Sequence, residues 1–269
     1  MIQNIELPNA QDTLTSLQNI SLQFPGSSAA VLEQFSMNVY RHEFLSLVGP
    51  SGCGKSSLLR IVAGLQDVTS GNVTRMTPDL TPGHKSSEIG FVFQHPTLLP
   101  WRTAAQNLTL PLELNGMLQN SEGESLQQKV SKLLNRVGLS DADADKRPAE
   151  LSGGMQMRLS LARALIVEPR LLLLDEPLAA VDDLLRTRLQ EDVSRLHTEQ
   201  KLTTILVTHN LHEAAFLSDR VLILGGSPAG VLSEVKIPHP QPRSAAYRES
   251  AEFFEVANQL SRELAGHLR

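Results

Sequence analysis

Residues Gly49 to Ser57 read GPSGCGKSS and fit the pattern G-x-x-x-x-G-K-[ST]. Glycines let consecutive backbone N–H groups turn inward around phosphate oxygens, and a helix N-terminus just after them adds its dipole. Lys55 supplies a mobile cation for β- and γ-phosphates, and Ser56 offers a hydroxyl to Mg²⁺. Gly49, Pro50, Ser51, Gly52, Cys53, Gly54, Lys55, Ser56 and Ser57 are therefore the candidate contacts to a nucleotide's phosphates. Cys53, the only cysteine, reads as a small filler shielded by bound nucleotide, or as a thiol of lowered pKa near a helix N-terminus.

A second stretch, LLLLDEP (Leu171 to Pro177), carries four leucines and then two acids. Such a strand is buried, and its acids emerge at the C-terminal edge, where open α/β sheets bind ligands. Asp175 suits the Mg²⁺ shell, directly or through water, and Glu176 is placed to polarise a water aimed at the γ-phosphate. LVTHN puts His209 at the same kind of edge, in reach of a γ-phosphate. Gln94 follows IGFVF at another such edge, placed to ligate Mg²⁺ or to orient water. The other histidines lack that context and read as surface residues.

One stretch is harder to explain. In RPAELSGGMQMRLSLARAL, Ser152 is a good helix N-cap, but Gly153 and Gly154 follow in the first turn. Each glycine costs a helix roughly 1 kcal/mol relative to alanine.

These residues need a rigid sheet to hold them. Short apolar runs predict strands at Leu17–Leu22, Phe44–Gly49, Ile89–Phe93, Leu171–Asp175, Thr204–Thr208 and Val221–Leu224. Several are continuous apolar runs, as expected for strands buried on both faces of a mainly parallel sheet. Helical patterns cover Lys55–Gly64, Gly153–Val167, Asp182–Glu199 and Leu211–Leu217, which makes the chain α/β. Between Phe93 and Leu171 the pattern is mostly helical, with turn signals at LPW, LNG and SEGES, and predicts an inserted helical subdomain. SEGES reads as an exposed loop before a helix ending near Gly138, and IPHPQPRS as a proline-rich break before a last helix near Ser250–Leu264.

Bulk properties narrow the class. The 269 residues allow one large domain or two small ones. A net charge of −5 and a pI near 5.9 argue mildly against a nucleic-acid binder. The first residues, MIQNIELPNAQDTL, have neither the positive region nor the apolar core of a signal peptide. No apolar run reaches the roughly 18 residues of a membrane span. The expectation is a cytoplasmic chain that lies against a membrane without crossing it.

In chain order these pieces resemble the ATP-binding cassette (ABC) family over about Ile20 to Leu232. FVFQ is similar to the family's Q-loop, LSGGM to its signature, AAVDD to its D-loop with Asp182, and VTHN to its H-loop. Phe24, in ISLQFPG, falls where the family stacks an aromatic ring on adenine; a core or surface phenylalanine is the other reading. The resemblance implies a P-loop NTPase core with an antiparallel β subdomain. It divides the chain into an ATPase domain over 1–240, with its helical subdomain at about 95–167, and a helical tail over 241–269. It implies ATP and Mg²⁺ as ligands, with Lys55, Gln94, Glu176 and His209 in the chemistry.

It also answers the glycine question. In this family two cassettes pack head to tail, and Ser152, Gly153 and Gly154 of one chain close on the γ-phosphate held by the other. Two positions depart from the commonest pattern: Met155 replaces a glutamine in the signature, and the D-loop reads Ala-Ala-Val-Asp rather than Ser-Ala-Leu-Asp. Neither removes a phosphate ligand or the base.

The segment GFVFQHPTLLPWRTAAQNLTLPLEL is similar to the nitrate, sulfonate and taurine importer subgroup. That likeness implies a motor subunit on the cytoplasmic face of the inner membrane, separate permease subunits docked near His95–Arg102, and an external solute-binding protein acting through the permease. Trp101 either belongs to that docking patch or packs inside the helical subdomain. Exporter or lipid-handling cassettes share the motifs. Soluble cassettes that act on nucleic acid or ribosomes carry coiled-coil insertions, fused cassettes or basic arms, and none is visible, so no nucleic-acid partner is expected. The stretch after Leu232 is too short for a large regulatory domain.

Overall fold

In a computed structural model of the chain, residues 12–75, 89–117, 125–179 and 181–266 are described. The first four residues of the SEGES loop and Ala180 of the D-loop lie outside them.

Six strands form the central sheet: β3 (Phe44–Val48), β5 (Ile89–Val92), β6 (Leu171–Asp175), β7 (Thr203–Val207), β8 (Arg220–Gly225) and β9 (Gly230–Lys236), in the order β5-β6-β7-β3-β8-β9. All neighbours are parallel except the β8–β9 pair. The apolar runs are explained by the two cores. Along β3, Phe44 and Val48 join one core while Leu45 and Leu47 join the other. Leu172 and Leu174 of β6 oppose Leu171 and Leu173 in the same way. A period of two that is apolar on both faces is a sheet covered on both sides.

One face is covered by α1 (Lys55–Val62) and by a three-stranded antiparallel sheet, β2-β1-β4, made of β1 (Thr13–Leu22), β2 (Leu32–Tyr40) and β4 (Ser70–Arg75). The other is covered by helices inserted between β5 and β6, namely α2 (Ala104–Leu114), α3 (Leu126–Arg136) and α4 (Gly153–Leu165), and by α5 (Asp183–Glu199), α6 (Leu211–Leu217), α7 (Ala245–Arg248) and α8 (Ala251–Gly266). Phe253, Val256, Ala257 and Leu260 of α8 are buried in the same core as β3 and α6.

Every strand and helix read from the sequence is present, with ends shifted by a few residues; α1 stops two residues before Gly64. The boundaries at Ser125 and Thr103 are capping boxes, each side-chain oxygen accepting from the backbone N–H three residues on. Strands β2, β4 and β9 and helices α2 and α7 had no individual prediction. The residues of β2 alternate between buried and exposed, and α2 contains Pro111.

Two expectations about side chains are settled here. His197 is no surface residue: it is 4% exposed, on the inner face of α5. Trp101 does not pack inside the helical subdomain, since it is 69% exposed.

Candidate active site

Parallel strands β5, β6, β7 and β3 end along one edge of the sheet, so the segments after them are neighbours. The backbone fixes their alignment: the Glu176 N–H donates to the Val207 carbonyl at 3.0 Å, and the Thr208 N–H to the Leu47 carbonyl at 3.3 Å. Three loops far apart in sequence thereby share one rim.

The loop after β3 must approach β8 closely. A Cβ on Gly49 would sit 2.3 Å from the Leu224 carbonyl oxygen, so only glycine fits. Gly54 caps α1 at φ 95°, a left-handed conformation that favours glycine. The Lys55 ammonium lies inside the loop and donates to the carbonyls of Gly49 (2.8 Å) and Pro50 (2.7 Å). Cys53 is buried, with Sγ 3.9 Å from that ammonium.

Beside the loop, the Ser56 hydroxyl donates to Asp175 Oδ1 at 2.8 Å. Asp175 is 3% exposed, and burial raises its pKa against the Ser56 hydrogen bond and the positive Arg60 and Lys55. A hydroxyl and one carboxylate are the oxygen set with which Mg²⁺ is commonly held when phosphates supply the rest. The residues present therefore fit Mg²⁺ bound together with a nucleotide. Among the described residues no group of three His, Cys, Asp or Glu side chains is placed to hold a metal ion.

Glu176 follows Asp175 at φ 49°, left-handed backbone that is unfavourable for a glutamate. Strained backbone of this kind is concentrated at functional sites. The turn sends its carboxylate toward the end of β7, where Oε2 lies 3.2 Å from His209 Nδ1. His209 is largely exposed, its other ring nitrogen free to meet a ligand. Gln94 is exposed at the end of β5 on the same rim, without a hydrogen bond to Asp175 or Ser56. Phe24 is 40% exposed just beyond β1.

Ser152 and Asp182 are helix N-caps: Ser152 Oγ accepts from the Met155 N–H at 3.3 Å, and Asp182 Oδ1 from the Leu185 N–H at 3.0 Å. Added Cβ atoms on Gly153 or Gly154 would meet nothing within 4 Å. The chain's own packing thus gives no reason for either glycine.

The structure also brings in residues that the motifs did not mark. Thr208 and Glu213 are buried directly behind His209, and the Thr208 hydroxyl donates to Glu213 Oε2 at 2.5 Å. A lone acid in the apolar run LHEAAFL was the available signal.

A phosphate loop that follows a buried strand, with its serine on an acid from β6, two strands away across β7, places this chain among the P-loop nucleoside triphosphatases. The family described as ABC transporter matches residues 32–179. An uncharacterized ABC transporter ATP-binding protein of Methanocaldococcus jannaschii is 40% identical over 88% of this chain and 85% of its own length. The chain belongs to the ABC transporter family. It is also 39% identical, over 80% of its length and 78% of the relative's, to an aliphatic sulfonates import ATP-binding protein of Mesorhizobium japonicum. A nitrate import ATP-binding protein of Synechococcus elongatus is 39% identical over 87% of this chain, which spans only 35% of that relative's length. Among solved structures, a dimeric ATP-binding cassette in a post-hydrolysis state bound to ADP and Pi matches with a TM-score of 0.73. It is 30% identical, over 82% of this chain and 98% of that one.

Proposed function

We propose that this chain is the ATP-hydrolysing motor subunit of an importer for a small anionic solute. The observation that carries the hydrolytic part is the shared rim: Lys55, the Ser56–Asp175 pair and the Glu176–His209 pair come from three separate strand ends. ATP phosphates are held by residues 49–57, with Phe24 against the adenine. Ser56, Asp175 and Gln94 would hold Mg²⁺, which would neutralise phosphate charge. Glu176 orients and deprotonates the attacking water, and His209 fixes Glu176 while contacting the γ-phosphate.

Two chains close head to tail around two ATP molecules. The open first turn of α4 supports this reading, because Gly153 and Gly154 leave backbone N–H groups free for an anion brought by a second chain. Asp182 faces the same junction. A dimeric cassette bound to ADP and Pi is similar in structure. The 1–240 segment forms the cassette, with 95–167 as its helical subdomain and 241–269 as a tail.

The transport part is supported by the similar nitrate, sulfate/thiosulfate and aliphatic sulfonates import proteins. No helix among the described residues is long and apolar enough to cross a membrane. The chain works at the cytoplasmic face of the inner membrane on separate permease subunits. Exposed Trp101 in His95–Arg102 supplies an apolar docking patch for them. An external binding protein delivers the solute.

Glu176→Gln tests both parts. It is expected to bind ATP, dimerise and lose turnover by roughly 10²-fold or more. Affinity purification of that variant with ATP from mild-detergent extracts is expected to bring down a polytopic membrane protein in about equal amount. Turnover near wild type removes Glu176 as the base, and an ATP-bound dimer with no membrane protein removes the transport assignment.

A further inference from the structure

Helix α6 starts two residues after His209 and has only seven residues. So short a helix has little stability of its own, and what packs on it decides where it lies. The C-terminal segment holds its last turn directly and reaches its first turn through Gln190 of α5.

At the far end, buried Arg243 donates from Nη1 to the carbonyls of Ala215 (3.3 Å), Phe216 (2.9 Å) and Ser218 (2.7 Å), the last turn of α6. From that same end a line of polar groups, half-buried at Arg248 and buried beyond it, runs toward the first turn of α6. Arg248, its guanidinium 3.5 Å above the Phe216 ring, donates from Nη2 to Gln190 Oε1 at 2.7 Å. The Gln190 side chain lies beside the Glu213 carboxyl and favours its charged form, while Glu213 Oε1 has no hydrogen bond in the structure. Glu213 Oε2 accepts from Thr208, and Thr208 Oγ1 in turn accepts from the Asn210 N–H at 3.0 Å. His209 is the residue between these two. Gln190, Glu213 and Thr208 are 3%, 4% and 2% exposed, so water does not replace a lost partner.

We propose that Arg248, Gln190 and Glu213 form a positioning relay through which the C-terminal segment fixes the Thr208–Asn210 turn and holds His209 against Glu176. The relay rests on the reading of Glu176 and His209 given above. These three are positioning residues; none of them touches the nucleotide. An amide and an arginine serve here because the line passes into a buried region where polar side chains are oriented by neighbours rather than by water. Burial raises the Glu213 pKa against the lowering effect of the Thr208 and Gln190 side chains.

The test is steady-state ATP turnover by the purified full-length chain in Arg248→Met and Gln190→Met. The first keeps the apolar stem over Phe216, and the second keeps volume in the core. Each is expected to lower kcat by about five- to tenfold with KM for ATP within about twofold of wild type. The double variant is expected to lose no more than the worse single one, because both cut the same line. Faster amide exchange over Thr208–Glu213 accompanies the loss. Wild-type kcat in either folded variant, or losses that multiply in the double, overturns the relay. Glu176→Gln measured alongside separates the two levels: if it too turns over normally, the functional reading has failed. If it is inactive while Arg248→Met and Gln190→Met are not, only the relay has.

Discussion

Replacing His197 by glutamine is expected to flatten the acid limb of the stability curve. The ring lies between α5 and β3, its centroid 5.1 Å from that of Phe44 and its Nδ1 3.0 Å from Thr204 Oγ1. Burial lowers its pKa from 6.5 to about 4; the nearby His42 backbone opposes this and the His42 charge adds to it. A folded pKa below the unfolded one means that the unfolded chain binds the proton first. Stability is therefore full above the unfolded pKa and falls as pH drops through the window from about 6.5 to about 4, at about 1.4 kcal/mol per pH unit. Between about pH 7 and about pH 4.5 the two pKa values give a loss of about 2.4 kcal/mol from this residue alone. Buried Glu43, Glu213 and Asp219 have raised pKa values and act in the opposite sense, so the total curve is not informative. The difference between wild type and His197→Gln is. Urea midpoints across that range, converted with a common slope, are expected to show the gap between the two proteins shifting by about 2.4 kcal/mol in favour of the variant at low pH. Lost packing on Phe44 adds an offset that does not vary with pH. Curves that stay parallel to within about 0.5 kcal/mol would refute the buried neutral histidine.

Gly153→Ala and Gly154→Ala are expected to stabilise the isolated chain slightly in thermal denaturation, by up to ~1 kcal/mol each, because the added methyl meets only open space. The same variants are expected to lose ATP-dependent dimerisation in light scattering; a stable dimer with ATP refutes the second-chain cradle. Gly49→Ala is expected to destabilise by about 2 kcal/mol or more in thermal denaturation even without nucleotide, since its Cβ would lie 2.3 Å from a backbone oxygen. Trp101→Ala is expected to leave the melting temperature within about 1 °C, as the ring is 69% exposed, and to abolish co-purification with the membrane subunit. Retained co-purification would place docking elsewhere.

Local rules carried much of this chain. A phosphate loop is contiguous, and its glycines, lysine and serine are legible because backbone N–H groups next to one another do the binding. Leu171–Leu174 announced a buried strand because both faces of a covered sheet are apolar. Ser152 and Asp182 announced helix starts because capping is a three-residue affair.

What the sequence could not rank was distance. Nothing local tells that Glu176 Oε2 lies against His209, 33 positions on, or that Ser56 meets Asp175, 119 positions on. Parallel strand order decides both. His197 and Glu213 were passed over for a related reason: a polar side chain in a helical run is solvated by default. Only the sheet packed on α5, and the tail packed on α6, removes the water and leaves Thr204 and Thr208 as partners. The sequence by itself determined which residues can bind phosphate, where helices begin and that the sheet is buried, since those follow from neighbours a few residues apart. Tertiary packing alone decided which acid faces which base and how the C-terminal segment reaches the rim, because those contacts depend on strand order and on the exclusion of water.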